Sequence, residues 1–569
     1  MNAAAPIGVS VRERVAGWPG PATRRRLAHG LLSVAVLLAA VAFVYRVQIA
    51  NGFTRLFSDG FDGNIEVAIL EHWYNVFRGR AAWDTTAYFF PHRGTLAYDD
   101  GYLLYGIPYA ALRGASIDPL LAAELVHVAV TAIGFASFAA CLRRIVGLGL
   151  LWSLFGAYLF TTANNIALQA VHAQLFAVSF APLLALLLHG AALALRRGRT
   201  GRLLLLGGLA ALLWGSWLMT GYYMAWFATF FGAAVALAWI ALAPAALRRD
   251  WVQALRRHWR AAALVAGAAA LATLPLLLLY LPKARTTGMH SFAETLAYGI
   301  TPVDIVHLAP GNLVWGWLDR WLTGHFQPDP LVDVPHTDEN MTGLPIGLLV
   351  LFAVGVVRVW RRDADRGALL RAVALATLVT WALTIRIGTV TPWQLVWALV
   401  PGAKAVRVVE RYQILLDLPV ITIAIAALAA LARRWPAPLT GLVCALLAAE
   451  QVATWAPVVK DRPGELAFLR RVPQAPTGCR AFYVSRSRGE SSPNPVVRLY
   501  TANVDAMMIA ETRDLPTING IATFGPPDWR ALTPSEPGYR PWVESYALHH
   551  HLHGLCAIDL QHMAWTAAR

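Results

Sequence analysis

The segment Arg24-Arg-Arg-Leu-Ala-His-Gly-Leu-Leu-Ser-Val-Ala-Val-Leu-Leu-Ala-Ala-Val-Ala-Phe-Val44 decides the class of the fold. Three arginines are followed by a run without a charged side chain, and the apolar stretch extends over about residues 28–48. About 20 apolar residues wound as a helix match the hydrocarbon core of a bilayer. No small-residue cleavage signal precedes Arg46, so the run reads as an uncleaved anchor.

Ten further runs of similar character lie near 119–141, 148–167, 173–195, 203–220, 224–246, 261–281, 342–360, 371–387, 413–432 and 437–455. The composition of the 569 residues agrees: 57% are apolar, 14% are charged, and the mean hydropathy is +0.50. Soluble domains carry about a quarter charged residues, so a soluble protein and a disordered chain are both excluded. The expected fold is an all-α polytopic membrane protein with about eleven transmembrane helices.

A net charge of +15 would admit a nucleic-acid partner, but its distribution argues otherwise. Alternate connectors are short and arginine-rich: Arg143–Arg144, Arg196 to Arg202, Arg248 to Arg260, Arg358 to Arg371 and Arg433–Arg434. Between them, 161–172 and 218–223 contain no Lys or Arg. The positive-inside bias then puts the N-terminus in the cytoplasm and the C-terminus outside. The segments so assigned to the cytoplasm, with 1–27, hold 23 arginines and four acids; the rest of the chain holds 25 basic and 29 acidic residues. The excess is a topology signal, and no nucleic acid is implied.

The working mass therefore lies outside, in 49–118, 282–341, 388–412 and the tail. The chain divides into a cytoplasmic N-terminus (1–27), a membrane module (28–455) and an extracytoplasmic domain (456–569). The tail reads as a small α/β domain. Its Cys479 and Cys556 each open a strand-like run, compatible with a disulfide or with two buried thiols.

The first external loop opens with Phe57-Ser-Asp-Gly-Phe-Asp-Gly-Asn-Ile-Glu66. A helix beginning near Gly63 would place Asp62 at its N-cap and Glu66 a turn later, with Val67, Leu70, Trp73, Tyr74 and Phe77 on a face suited to the membrane surface. Within the second span, Glu124 and His127 share a helix face and can pair toward the bundle. Asn164, Asn165, Gln169, His172 and Gln174 crowd an uncharged outer connector, and Tyr222 and Tyr223 end another. These suit sugar hydroxyls and ring faces, and equally well satisfied helix ends.

The order of motifs resembles the GT-C superfamily, polytopic glycosyltransferases that use polyprenyl-phosphate sugars and keep an essential acid in the first external loop. The similar positions are Asp62-Gly63, Leu70-Glu-His-Trp73, Phe89-Phe-Pro91 and Asp99-Asp100. Further on come Arg285, Glu294, Pro310-Gly-Asn312, Glu339-Asn-Met-Thr-Gly343, Pro401-Gly-Ala-Lys-Ala-Val-Arg-Val-Val-Glu-Arg411 and Pro516-Thr-Ile-Asn-Gly520. The resemblance, to a bacterial branch, implies an enzyme of the inner membrane. Its partners would be a polyprenyl-phosphate sugar, a glycan or lipid acceptor and membrane lipids.

The implied base is Asp62, with Asp59 competing for the role, its pKa raised by burial. Arg407 and Arg411, four apart on one helix face, would hold the departing phosphate, with Lys404 assisting and Arg285 a weaker candidate. Pairing with lipid headgroups or with Glu410 would account for the two arginines as well. Substrate contacts would come from Glu66, His92, Asp99, Asp100, Glu124, His127, His172, Tyr222 and Glu339. Asp99-Asp100 leaves a divalent cation, Mg or Mn, open, whereas His549 and His553 in the histidine tract read as a solvated helix face. A flippase for a lipid-linked substrate and a non-catalytic assembly protein are the alternatives.

Overall fold

The computed structural model describes residues 21–326, 339–361, 364–454 and 459–566. The N-terminal segment to residue 20, residues 327–338 of the second long loop and the junction 455–458 between membrane module and tail lie outside the described residues.

All eleven apolar runs are helical, but eight are long and apolar enough to cross a membrane: Thr23–Val44, Pro119–Arg144, Ala173–Arg196, Thr200–Leu218, Tyr222–Leu242, Trp259–Thr287, Gly367–Thr384 and Val409–Leu431. The other three are short, at 12 residues for Leu150–Thr161, 15 for Ile346–Trp360 and 13 for Ala437–Ala449. Helices thus fill all eleven expected runs, eight at full length and three shorter. Gly149, Pro345 and Pro436 stand immediately before them, residues that break or open a helix. At the far end of the first, the chain turns at Thr162 and restarts as the separate turn Asn164–Leu168.

Val409–Leu431 is largely buried whereas Thr23–Val44 and Trp259–Thr287 are almost wholly uncovered by protein, so the former is the central post and the latter two are peripheral. Ile346–Trp360 packs closely on that post. A Cβ at Gly355 would sit 2.7 Å from the Ile423 carbonyl oxygen, so glycine is what permits the approach.

The tail carries the β-structure. β1 (Arg55–Leu56) of the first loop pairs antiparallel with β2 (Lys460–Asp461). β3 (Ala481–Arg486) runs parallel to β4 (Leu555–Asp559), which pairs antiparallel with β5 (Ala564–Thr566). Cys479 and Cys556 are joined as a disulfide.

First loop and tail form one body. The loop helix Asp62–Phe77 lies between Leu103–Gly114 on one side and the tail helix Pro495–Arg513 on the other. Val67, Leu70 and Trp73 are buried there, whereas Tyr74 is half-buried and Phe77 exposed, so protein covers all but the last turn of the face expected on the membrane surface. Glu71 fixes the packing, accepting two bonds from the Arg113 guanidinium and one from the Tyr109 hydroxyl. Two sequence motifs dock on each other: the amides of Phe89 and Phe90 donate to the carbonyls of Asn519 and Thr517, and Thr517 N–H donates to Ala87 at 2.8 Å.

Candidate active site

Asp59 and Asp62 are separated by what their side chains do. Asp59 Oδ1 accepts the amides of Phe61 at 2.9 Å and Gly63 at 3.3 Å, closing the turn that starts the loop helix. The helix begins at Asp62, whose own side chain caps nothing. Phe61 stands at the N-cap, and Asp59, two residues before it, accepts the Phe61 amide and the Gly63 amide of the first turn, so the capping expected of Asp62 comes from Asp59.

Released from capping, the Asp62 carboxylate turns toward the bundle and meets His172 Nδ1 at 3.0 Å. His172 Nε2 lies 3.7 Å from Glu339, and Glu339 Oε2 accepts from Arg411 at 2.9 Å. Asp62 is 36% exposed against 17% for Glu339 and 15% for His172, so the carboxylate is the open end of the chain. Burial pushes the Asp62 carboxyl up, but the hydrogen bond and charge of His172, with Arg411 and Arg407, hold it below the ordinary carboxylate value. This corrects the expectation of a raised pKa, which belongs to Asp59: burial and the Asp62 charge lift it.

Arg407 stacks over the Tyr298 ring, 5.1 Å from its centroid, and its amide donates to the Tyr223 hydroxyl. The span's helix proper starts at Tyr412, so Arg407 and Arg411 do not share a helix face as expected; an extended segment and a short 3-10 turn bring them to the same place. The Nε atoms of both are buried and meet no acceptor. Buried donors without partners are uncommon, and two guanidiniums in that state form a ready anion cradle.

Asp100 faces the same cluster. It accepts the Tyr222 amide at 2.8 Å; burial lifts its carboxyl to about 6, against the pull of that bond and of Arg411. Asp99 beside it is pushed up to about 8 by burial and the Asp100 charge. Tyr222 acts here through its amide, while its hydroxyl donates to the Gly402 carbonyl.

Other candidates fall elsewhere. Glu66, Glu124 and His127 are buried beneath the loop: His127 Nε2 meets Glu66 at 2.6 Å and its Nδ1 lies 4.0 Å from Glu124, which also accepts the Phe57 amide. They are a foundation under the site, out of reach of a substrate in this arrangement. Lys404 stacks on Trp397, and Arg285 is exposed in the last turn of its helix. His92 contacts Asp528 of the tail. Asn164 and Asn165 donate to the carbonyls of Leu308 and Thr342, so they serve as buried braces between connectors.

Lys460, one of only three lysines, escaped the sequence reading as a site residue; it is buried by the β1–β2 pairing where it faces Glu66, Asp59 and Glu124 through space. Tyr223, read with Tyr222 as suited to a sugar, accepts the Arg407 amide instead.

No family model and no curated protein matches the chain. Among solved structures it is similar to the arabinofuranosyltransferase AftD from Mycobacteria, at 15% identity and TM-score 0.48, over 86% of this chain and 32% of that one. It is also similar to the oligosaccharyltransferase of Archaeoglobus fulgidus, in a complex with zinc and sulfate at 12% identity and TM-score 0.46, over 85% of this chain and 62% of that one. A form of the same archaeal enzyme tethered with an acceptor peptide gives 11% identity and TM-score 0.46. The chain thus spans about a third of the first relative and just under two thirds of the second. It is a multi-pass, all-α membrane protein with a small C-terminal sheet domain.

Proposed function

We propose that the chain is a GT-C-type glycosyltransferase of the bacterial inner membrane, taking a sugar from a polyprenyl phosphate and passing it to an acceptor hydroxyl on the extracytoplasmic face. The observation that carries this is the chain Asp62–His172–Glu339–Arg411 with Arg407 beside it. Four separate external segments place a partly open carboxylate at one end and two guanidiniums with unmet donors at the other.

The chemistry follows from those two ends. The acceptor hydroxyl gives its proton to Asp62 while its oxygen attacks the anomeric carbon from the face opposite the phosphate. The bond from that carbon to the phosphate oxygen breaks, the electron pair leaves with the phosphate, and configuration inverts. Arg407 and Arg411 meet the charge that gathers on the leaving group. Pro119–Arg144, Ala173–Arg196, Tyr222–Leu242 and Ile346–Trp360 also turn their N-terminal ends, the positive ends of their dipoles, toward this face.

The depressed pKa of Asp62 fits this sequence of events. Without donor, the hydrogen bond and charge of His172, and after them the charges of Arg411 and Arg407, hold it a weak base. A phosphate seated between the two guanidiniums offsets their part of that positive charge, so the basicity of Asp62 rises when the donor is in place.

The test is a reaction of the purified protein in nanodiscs with a panel of polyprenyl-phosphate sugars and glycan or glycolipid acceptors. Free polyprenyl phosphate is expected to appear in step with glycosylated acceptor. Turnover insensitive to loss of both Arg407 and Arg411 would overturn the assignment of the phosphate site.

A further inference from the structure

A second cluster of chemistry-bearing side chains lies between first loop and tail, outside the Asp62 chain. His92 follows the cis Phe90–Pro91 bond, Asp528 follows the Gly525-Pro-Pro527 turn, and His550 stands just past the end of the helix Tyr539–His549. His92 Nε2 lies 2.9 Å from Asp528 Oδ1, and His550 Nε2 lies 2.6 Å from Asp528 Oδ2. One donor atom from each of the three residues falls within 4.8 Å of the others.

We infer that His92, Asp528 and His550 bind a divalent transition-metal ion of the zinc class, clipping the first external loop to the tail.

The geometry at His92 points to a shared cation. Its Nε2 and Asp528 Oδ1 are buried and 2.9 Å apart, yet neither is engaged in a hydrogen bond. Two lone-pair atoms so close and out of line for N–H···O match the edge of a coordination shell, in which neighbouring donors each aim at the ion between them. The two imidazoles converge edge to face, with centroids 5.1 Å apart. Two imidazole nitrogens and one carboxylate oxygen suit Zn²⁺ and its neighbours and are a poor set for Mg²⁺ or Ca²⁺, which take oxygen. With three protein ligands the fourth position stays open to water or a further donor.

The surroundings hold the ligands in place. Tyr546 packs on His550 at 4.4 Å between centroids, and its hydroxyl donates to the Phe90 carbonyl, two residues from His92. The three ligands are 436 and 22 residues apart in the chain, so an ion joining them ties ends that the chain alone leaves loosely coupled. The histidine tract also takes a different meaning. The helix stops at His549, so His549 and His553 lose the shared face that their spacing suggested, and His550 alone turns inward to Asp528.

The experiment uses full-length protein purified in detergent without a polyhistidine tag and stripped with chelator. Zn²⁺ alone is titrated by calorimetry with elemental analysis, and Co²⁺ is followed by its visible spectrum. One ion per chain is expected, with a rise in melting midpoint on adding Zn²⁺. His92→Ala and His550→Ala should each weaken binding by more than the about 10–100-fold that outer partners of a metal site carry. The double change His549→Gln, His553→Gln should leave it unaltered. His92→Cys, which keeps a ligand, should bind Co²⁺ with a new near-ultraviolet thiolate band, covering the case in which His92→Ala fails to fold. Absence of stoichiometric binding, binding that survives His92→Ala and His550→Ala, or binding lost in the His549/His553 double variant would each overturn the inference.

Discussion

Asp59 frees Asp62. By accepting the Phe61 and Gly63 amides, Asp59 satisfies the helix start and leaves the Asp62 carboxylate 3.0 Å from His172. The two aspartates therefore have separable phenotypes. Asp59→Asn keeps an acceptor oxygen and should cost well under 1 kcal/mol, whereas Asp59→Ala loses the cap and should cost about 1 kcal/mol, read as a lower melting midpoint. In both, sugar transfer should persist.

On the proposed mechanism, Arg407 carries the donor side. Arg407→Gln removes a charge that meets the phosphate and leaves Glu339 and Arg411 paired. A hydrogen bond to a charged group is worth about 1.5–3 kcal/mol, so kcat/KM for the donor should fall about 10- to 150-fold. KM for the acceptor should stay near that of the parent, and Lys404→Gln should leave both near it. Initial rates with each substrate varied in turn decide this.

His127 belongs to the foundation. It is buried against Glu66 at 2.6 Å, and removing one partner of a buried ion pair typically costs about 3–5 kcal/mol. His127→Ala should therefore yield a protein that expresses poorly or melts far below the parent, and not a folded protein with altered substrate preference. Thermal melts in detergent, with ligand-specificity assays on whatever folds, distinguish the two.

Stability should fall as pH rises. Burial and neighbouring acids lift Asp99 to about 8; burial lifts Glu511 to about 8, although Glu511 accepts the Ala87 amide at 2.7 Å. Unfolded carboxyls titrate near 4, so between about pH 4 and 8 the folded protein holds more protons and its stability declines with pH. Asp62 and Glu339, whose values are depressed, act oppositely: their contribution is present above the unfolded value and is lost below about pH 4. Melting midpoints should be higher at pH 5.5 than at pH 8, and Glu511→Gln should flatten that slope.

Tail and loop should fail together. A Cβ on Gly520 would lie 2.7 Å from the Phe89 ring, so Gly520→Ala should push the two motifs apart at a cost of about 1–3 kcal/mol. Limited proteolysis should then cut the first loop as well as the tail.

Much of this architecture was legible in the chain, and the gaps have physical causes. Apolar runs located the eight long apolar helices found among the described residues, because the length needed to match a bilayer is written locally in the chain. Helix length was less legible: where Leu150–Thr161 stops depends on Asn164, whose side chain donates to the Leu308 carbonyl and whose amide donates to Gln451, both remote in sequence. Asp62, Glu339, Arg407 and Arg411 were readable as candidates from motif order and His172 from the polar crowd in an uncharged outer connector, and the structure brings them together. The division of labour between Asp59 and Asp62 was not readable, since it turns on backbone geometry over four residues. Lys460 and the His92–Asp528–His550 cluster were invisible because each is made by the tail folding back on the first loop.

The central claim is that Asp62 is the base of a sugar transfer. It is tested most directly by comparing release of polyprenyl phosphate, with labelled sugar in the acceptor, for the parent, Asp62→Asn and Asp59→Asn, all with intact melting transitions. A positioned base contributes about 10²–10⁴-fold, so Asp62→Asn should retain about 1% of the parent rate or less, with Asp59→Asn active. Full turnover by Asp62→Asn in a folded protein would contradict the account.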